Sequence, residues 1–250
     1  MRAPDWLTAR PVAHRGLHDA ARGIIENMPA AAQAAVDGNF AIECDIQLSA
    51  DGEAMVHHDG ALGRLTEGTG ALLGKTSAEL KAVTFKGTSE RMMALGDLCA
   101  LVAGRVPLVI EVKSHFDGDR KLVARMAEVL AGYAGPAVGM SFDPDQVLAL
   151  RELAPNLTRG IVAERHYDAT DWPEASAEQR HGMTHLRHAF RSRPHFVAYW
   201  VDELPAAAPW IARNIFGLPL LTWTVRTPEQ RARAVRNADQ MIFEGFRPGT

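Results

Sequence analysis

At 250 residues, with 47% hydrophobic and 23% charged positions and a formal net charge of −3, the chain has the composition of an ordinary globular protein able to bury one sizeable core. The charge is mild and of the wrong sign for a nucleic-acid binder, which leaves small molecules as the expected partners. Cys44 and Cys99 are the only two cysteines and no 18 apolar residues run together, which argues against a disulfide scaffold, a structural zinc site and stable membrane insertion. A cytoplasmic location is expected from the sparse cysteines and from an N-terminus without an apolar core.

In chain order, apolar runs suited to buried parallel strands occupy residues 11–14, 41–47, 107–112, 137–141, 158–163, 195–201, 218–225 and 240–244. Segments of helical periodicity lie between most of them, at 30–37, 94–103, 120–131, 143–153, 205–216 and 228–236. Asp143-Pro144 and Thr227-Pro228 each put a capping residue ahead of a proline, a helix start signal. Eight repeated βα units predict a (β/α)₈ TIM barrel in a single domain over 1–250, with an open doubly wound sheet as the alternative. Two stretches break the alternation. Residues 50–93 hold a short alternating run and then a Gly- and Thr-rich segment, and are predicted to be a small insertion after the second strand. Residues 164–194 are polar, rich in His and Arg and interrupted by Pro173, and are predicted to form an irregular lid or a helix across the barrel mouth.

The chemistry-bearing residues gather at the ends of strands. Glu43 and Asp45 stand two apart in a strand and so point to one side of the sheet, where burying two like charges calls for water or a cation between them. Glu111 and Lys113 repeat the spacing at the end of the next strong run, where barrel enzymes keep their active sites. Oxygen ligands of this kind suit one hard divalent cation, Mg²⁺ or Ca²⁺. The first strand ends in His14-Arg15-Gly16, an acid-base candidate beside a guanidinium whose planar fork matches phosphate oxygens. His57 and His58 end a short alternating run and face opposite ways, so at most one of them joins the carboxylates.

Taken in order, His14-Arg15-Gly16, Glu26-Asn27, Glu43-x-Asp45, Asp51-Gly52, His58-Asp59 and Glu111-x-Lys113 resemble the glycerophosphodiester phosphodiesterase family, whose pattern spans nearly the whole chain. The resemblance implies a TIM barrel with an insertion after the second strand, and a small-molecule glycerophosphodiester cleaved to glycerol 3-phosphate and an alcohol. It implies Glu43, Asp45 and Glu111 as metal ligands, His14 and His58 as the acid-base pair, and Arg15 and Lys113 on the phosphate. Asn27, next to Glu26, would lie near the metal and the attacking group, and Trp223 would pack against the alcohol. Two positions depart from the family pattern. Met28 stands where Thr usually follows Glu-Asn, and the last strand reads Ile242-Phe243-Glu244-Gly245 where a Thr-Asp pair is usual.

Rival readings are a lysophospholipase D-like or sphingomyelinase-like activity using an apolar groove near Trp172 and Phe190, a non-catalytic phosphodiester-binding protein, and a glycoside hydrolase. The last gives no reason for His-Arg, His-Asp and Lys113 together. Gly70 to Thr76 imitates a phosphate loop but has one residue too few between its glycines. His181, His185 and His188 have helical spacing and are expected on a solvated helix face. The oligomeric state is left open.

Overall fold

The computed structural model describes residues 2–249. In chain order it places β1 (Val12–Ala13), α1 (Pro29–Asp37), β2 (Ala41–Leu48), β3 (Ala54–Val56), β4 (Ala61–Leu62), β5 (Gly70–Ala71), α2 (Ser77–Lys81), α3 (Leu95–Val102), β6 (Leu108–Val112), α4 (Lys121–Ala131) and β7 (Ala137–Ser141). There follow α5 (Pro144–Leu153), β8 (Thr158–Ala163), α6 (Ala177–Thr184), α7 (Ala189–Ser192), β9 (Phe196–Trp200), α8 (Ala207–Asn214), β10 (Leu220–Val225), α9 (Pro228–Asn237) and β11 (Gln240–Phe243). The sheet order β1-β11-β10-β9-β8-β7-β6-β2, with β1 also pairing with β2, is that of a closed (β/α)₈ barrel, and β3 is added antiparallel beside β2. The eight predicted strands are these eight, and the doubly wound alternative falls because an open sheet would leave β1 and β2 as separate edges.

By internal packing the chain divides into two compact units: residues 13–113 with 120–137, and residues up to 12, 114–119 and from 138 onward. In the first, β2 is buried from Ala41 to Gln47, as a strand covered on both faces must be. Its alternation puts Ile42, Cys44 and Ile46 on one side and Glu43 and Asp45 on the other. Parallel pairing with β6 sets Asp45 directly beside Glu111.

The 50–93 segment builds a small core of its own from Met55, Leu62, Leu72, Leu80 and Met92, which is why it can hold a shape beside the barrel strands. The stretch that imitates a phosphate loop runs here through β5 and a 3-10 turn to Thr76, which is the N-cap of α2. Thr76 Oγ1 accepts from the backbone N–H of Glu79, and the Glu79 carboxylate accepts from that of Thr76. Thr76→Ala removes this reciprocal pair and is expected to cost about 1 kcal/mol in urea unfolding, with activity unchanged.

In the second unit, β7, β8, β9, β10 and β11 pair in parallel, and Val147, Ile161, Val197, Tyr199 and Leu220 form its core. Both predicted cap-proline starts are present, with Asp143 accepting from Asp145 N–H and Thr227 from Gln230 N–H. Residues 164–194 run irregularly as far as Ser176 and then carry α6 and α7, and Ser176 with Gln179 forms the capping box that starts α6. His181 and His185 are exposed and their rings meet at 5.2 Å, whereas both ring nitrogens of His188 are buried.

Candidate active site

The site forms at the end of β1, on β2 at Glu43 and Asp45, and at the end of β6. After β1 the chain turns sharply at Arg15 and Gly16, with φ of +55° and +79°. A Cβ on Gly16 would lie 2.8 Å from the Ala31 carbonyl carbon of α1, so no larger residue fits this turn. The turn brings the Arg15 backbone N–H to 2.8 Å from Glu43 Oε2, and His14 Nε2 stands 4.0 Å from the same oxygen.

Glu43 and Asp45 are each 1% exposed, Glu111 is also buried, and an oxygen from each of the three lies within 4.8 Å of the others. Lys113 Nζ bridges Asp45 at 2.8 Å and Glu111 at 2.5 Å. Burial raises the carboxyl groups of the cluster, but at Asp45 the Lys113 and Arg15 cations win and hold it well below the usual carboxylate range. At Glu43 burial, then the charges of Asp45 and Glu111, prevail and push the carboxyl well up. Glu111 is also raised by burial, against the pull of Lys113.

Three carboxylates thus face two cations, Arg15 and Lys113, and two buried atoms among them lack hydrogen-bond partners. One is Glu43 Oε1. The other is Arg15 Nε, which lies 3.3 Å from Asp45 Oδ2 in an ion pair whose N–H is out of line for a hydrogen bond. A buried carboxylate oxygen without a donor is costly, and a hard cation held by Glu43, Asp45 and Glu111 would satisfy it.

Asn27, 3% exposed and at φ +58°, donates its amide to Asp45 Oδ2 at 2.9 Å, so in this structure it orients a carboxylate. Of the two adjacent histidines, His57 is buried and its backbone N–H binds the Asp45 carbonyl. Both rings feel Asp45, but His58 also feels Lys113 and Arg15, and its Nδ1 lies 2.9 Å from Asp59 Oδ1. Burial depresses its pKa, with Asp45 opposing, so the neutral ring is favoured.

Trp223 belongs to the other unit. There it meets Phe142 at right angles, 5.3 Å between ring centres, and its buried Nε1–H lacks an acceptor. Trp172 gathers Phe116, Phe142 and Tyr167 around it at 4.8–6.1 Å.

Over residues 14–245 the chain matches the glycerophosphoryl diester phosphodiesterase family. It belongs to that family. A glycerophosphodiester phosphodiesterase of Caldanaerobacter subterraneus subsp. tengcongensis is 27% identical over 237 residues, covering 90% of this chain and 89% of that protein. Among solved structures, an Oleispira antarctica phosphodiesterase in complex with the product sn-glycerol-3-phosphate aligns with a TM-score of 0.74 at 19% identity, covering 93% of this chain and 91% of that one. A glycerophosphodiester phosphodiesterase from Thermotoga maritima aligns at 0.69 and 22%, covering 94% of each chain. These two likenesses establish the shared fold.

Both departures from the family pattern have local structural accounts. Met28 takes the N-cap position of α1 without a capping side chain, and is instead buried with Ala31 and Phe85. The lost cap, about 1 kcal/mol, is offset by apolar burial of about the same size or more. Glu244 pairs with Arg226 at 2.5 Å. The motif residue Asp51 anchors the insertion, accepting from the Ser49 hydroxyl and from the Ser77 backbone and hydroxyl. Sequence reasoning missed Arg64, which binds both Asp59 and Glu26; its only signal is a position six residues beyond His58.

Proposed function

We propose that the protein is a metal-dependent phosphodiester hydrolase that cleaves glycerophosphodiesters to glycerol 3-phosphate and an alcohol. The observation that carries this reading is the pair of buried atoms without a hydrogen bond among the three carboxylates, Glu43 Oε1, which a cation would satisfy, and Arg15 Nε, suited to a phosphate oxygen. Glu43, Asp45 and Glu111 would hold the one divalent cation, Mg²⁺ or Ca²⁺. When bound, it supplies Lewis-acid polarisation of the phosphoryl group and offsets its charge.

The remaining work falls to the chain's own residues. Arg15 and Lys113 bind the non-bridging oxygens, where negative charge grows in the transition state. His58 is the base: burial keeps it neutral, Asp59 holds Nδ1, and Nε2 is left to take the proton of the nucleophile, either water or the neighbouring substrate hydroxyl. His14 is then the acid that protonates the leaving alkoxide. Asn27 keeps Asp45 in place, and Trp223 offers an aromatic face to the alcohol.

The reading takes 1–250 as one catalytic domain that acts in the cytoplasm on a small molecule, without nucleic acid. Two free, buried cysteines support that location, and among the described residues no helix is long and apolar enough to cross a membrane. A second reading, lysophospholipase D-like cleavage of lysolipids, draws support from the aromatic group around Trp172 and from Phe190, which is 81% exposed.

The test is release of glycerol 3-phosphate from a panel of glycerophosphodiesters and lysolipids, with EDTA and then with added Mg²⁺ or Ca²⁺. Release from lysolipids alone moves the reading to the second activity, and tight binding without release from any substrate leaves a phosphodiester-binding protein. The pH profile follows from His58. A base must be neutral, so kcat/KM rises with pH through the depressed pKa, and its acid limb lies below the ordinary imidazole value near 6.5. Asp59→Asn removes a bond that raises this pKa and is expected to move the limb to lower pH.

A further inference from the structure

We propose that Arg64, which the 50–93 insertion supplies, is a positioning residue for the His58 imidazole and acts through Asp59. The proposal rests on the reading of His58 as a catalytic base. His58 and Asp59 are neighbours in a bend just after β3, and no regular hydrogen-bond ladder there locks the Asp59 side chain. What locks it is Arg64, whose Nε donates to Asp59 Oδ2 at 2.6 Å and whose Nη2 donates to Oδ1 at 3.0 Å. This two-point fork fixes the plane of a carboxylate as a single bond cannot. With both oxygens held, Oδ1 is presented to His58 Nδ1 at 2.9 Å.

The guanidinium is itself fixed from its other side. Nη2 also donates to Glu26 Oε1 at 2.7 Å, and that oxygen accepts from Arg15 Nη1 at 2.8 Å. Arg15, Glu26, Arg64, Asp59 and His58 therefore form an unbroken series of charge-assisted bonds. It joins the arginine proposed to bind phosphate to the imidazole proposed to move the proton. Two simpler roles fit Arg64 less well. Nε and Nη2 are committed to carboxylates, so the fork is not presented to a phosphate. Its side chain is 47% exposed, and ion pairs at such exposure add little to stability.

By holding Nδ1 in a proton-bearing bond to Asp59, the series leaves Nε2 as the nitrogen that accepts a proton. Without Arg64 the Asp59 carboxylate can rotate off the ring, and His58 samples orientations and tautomers that do not react. The loss should appear in kcat and leave KM nearly unchanged, since no substrate contact is removed.

The experiment compares the full-length wild type with Arg64→Ala, Arg64→Lys, Asp59→Asn and the Arg64→Ala/Asp59→Asn double variant. The control is Lys81→Ala, which removes another ion pair of the insertion, to Asp97 at 2.6 Å. Each is assayed on the glycerophosphodiester that the wild type turns over fastest, and each is examined by ¹H–¹⁵N spectra of the histidine rings, with His58 assigned by its deletion.

Arg64→Ala is expected to lower kcat roughly 10- to 100-fold, the usual size for a group that orients a reacting ligand or base, with KM within about threefold. Its effect should largely vanish in the Asp59→Asn background, because the two act as one unit. The His58 Nδ1–H signal, sharp in the wild type and in Lys81→Ala, should broaden away in Arg64→Ala. Arg64→Lys keeps the charge without the fork and should fall between, which provides a folded comparison if the alanine variant proves unstable. Wild-type kcat in Arg64→Ala, full additivity with Asp59→Asn, or an unchanged His58 signal overturns the proposal. If the wild type cleaves no diester the hydrolase reading fails, while the ring spectra still decide whether Arg64 positions His58.

Discussion

His58→Ala is expected to lower kcat on a glycerophosphodiester by roughly 10²- to 10⁴-fold, the range of a positioned general base. His14→Ala is expected to cost a comparable factor on substrates whose alcohol leaves as a poor alkoxide. The two variants part company on a glycerophosphodiester of p-nitrophenol, a leaving group that departs without a proton. There His14→Ala should recover most of the wild-type rate and His58→Ala none. The asymmetry follows from the geometry. Burial favours the neutral form of His58, which is tied to Asp59 through Nδ1, whereas His14 Nε2 stands 4.0 Å from Glu43 Oε2. Steady-state kinetics on the two substrates checks this. Rescue of His58→Ala in place of His14→Ala would exchange the two roles, and wild-type turnover by both variants would remove histidine chemistry from the site.

Chelation is expected to have an effect as large. EDTA should take turnover to background, with Mg²⁺ or Ca²⁺ restoring it, and Glu43→Gln should lose roughly 10³-fold, in keeping with the several kcal/mol of charge stabilisation that a catalytic cation provides. A readout without turnover is thermal unfolding. Metal at about 100 times its Kd should stabilise the wild type by about 2.7 kcal/mol and leave Glu43→Gln unmoved. In EDTA the same variant should be at least as stable as the wild type, because burial and the neighbouring carboxylates already push the Glu43 carboxyl toward its neutral form. A wild-type enzyme indifferent to EDTA, or a Glu43→Gln protein that metal stabilises normally, would remove the cation from the account.

Much of the molecule was legible before any coordinates because its signals are local. Each strand-helix unit announces itself by an apolar run followed by a 3.6-residue period, and the pairs Asp143-Pro144 and Thr227-Pro228 mark helix starts by the bonds their own side chains make. Glu43 and Asp45 share a face because strand periodicity is 2. Other local signals lie in side-chain pairs at helix starts. Ser176 with Gln179 is the pattern of a capping box, and it starts a helix in a segment expected to be irregular or to carry a single helix. The glycines and lysine before Thr76 only imitate a phosphate loop, and the threonine's partner is Glu79, three residues on.

The sequence by itself determined the repeated βα plan, the insertion at 50–93, the carboxylate pair on β2 and the candidate histidines, since each depends on residues within a few positions of one another. Only the tertiary structure decided that Glu111 lies beside Asp45, which follows from the register of β2 against β6. It also turned the Asn27 amide onto Asp45, buried His57 while setting His58 beside Lys113 and Arg15, and carried Arg64 to both Asp59 and Glu26. Such pairings join residues that are distant along the chain or whose side chains could each turn several ways. Local propensity does not rank those alternatives; the geometry of close packing and the cost of leaving a buried charge unmatched do.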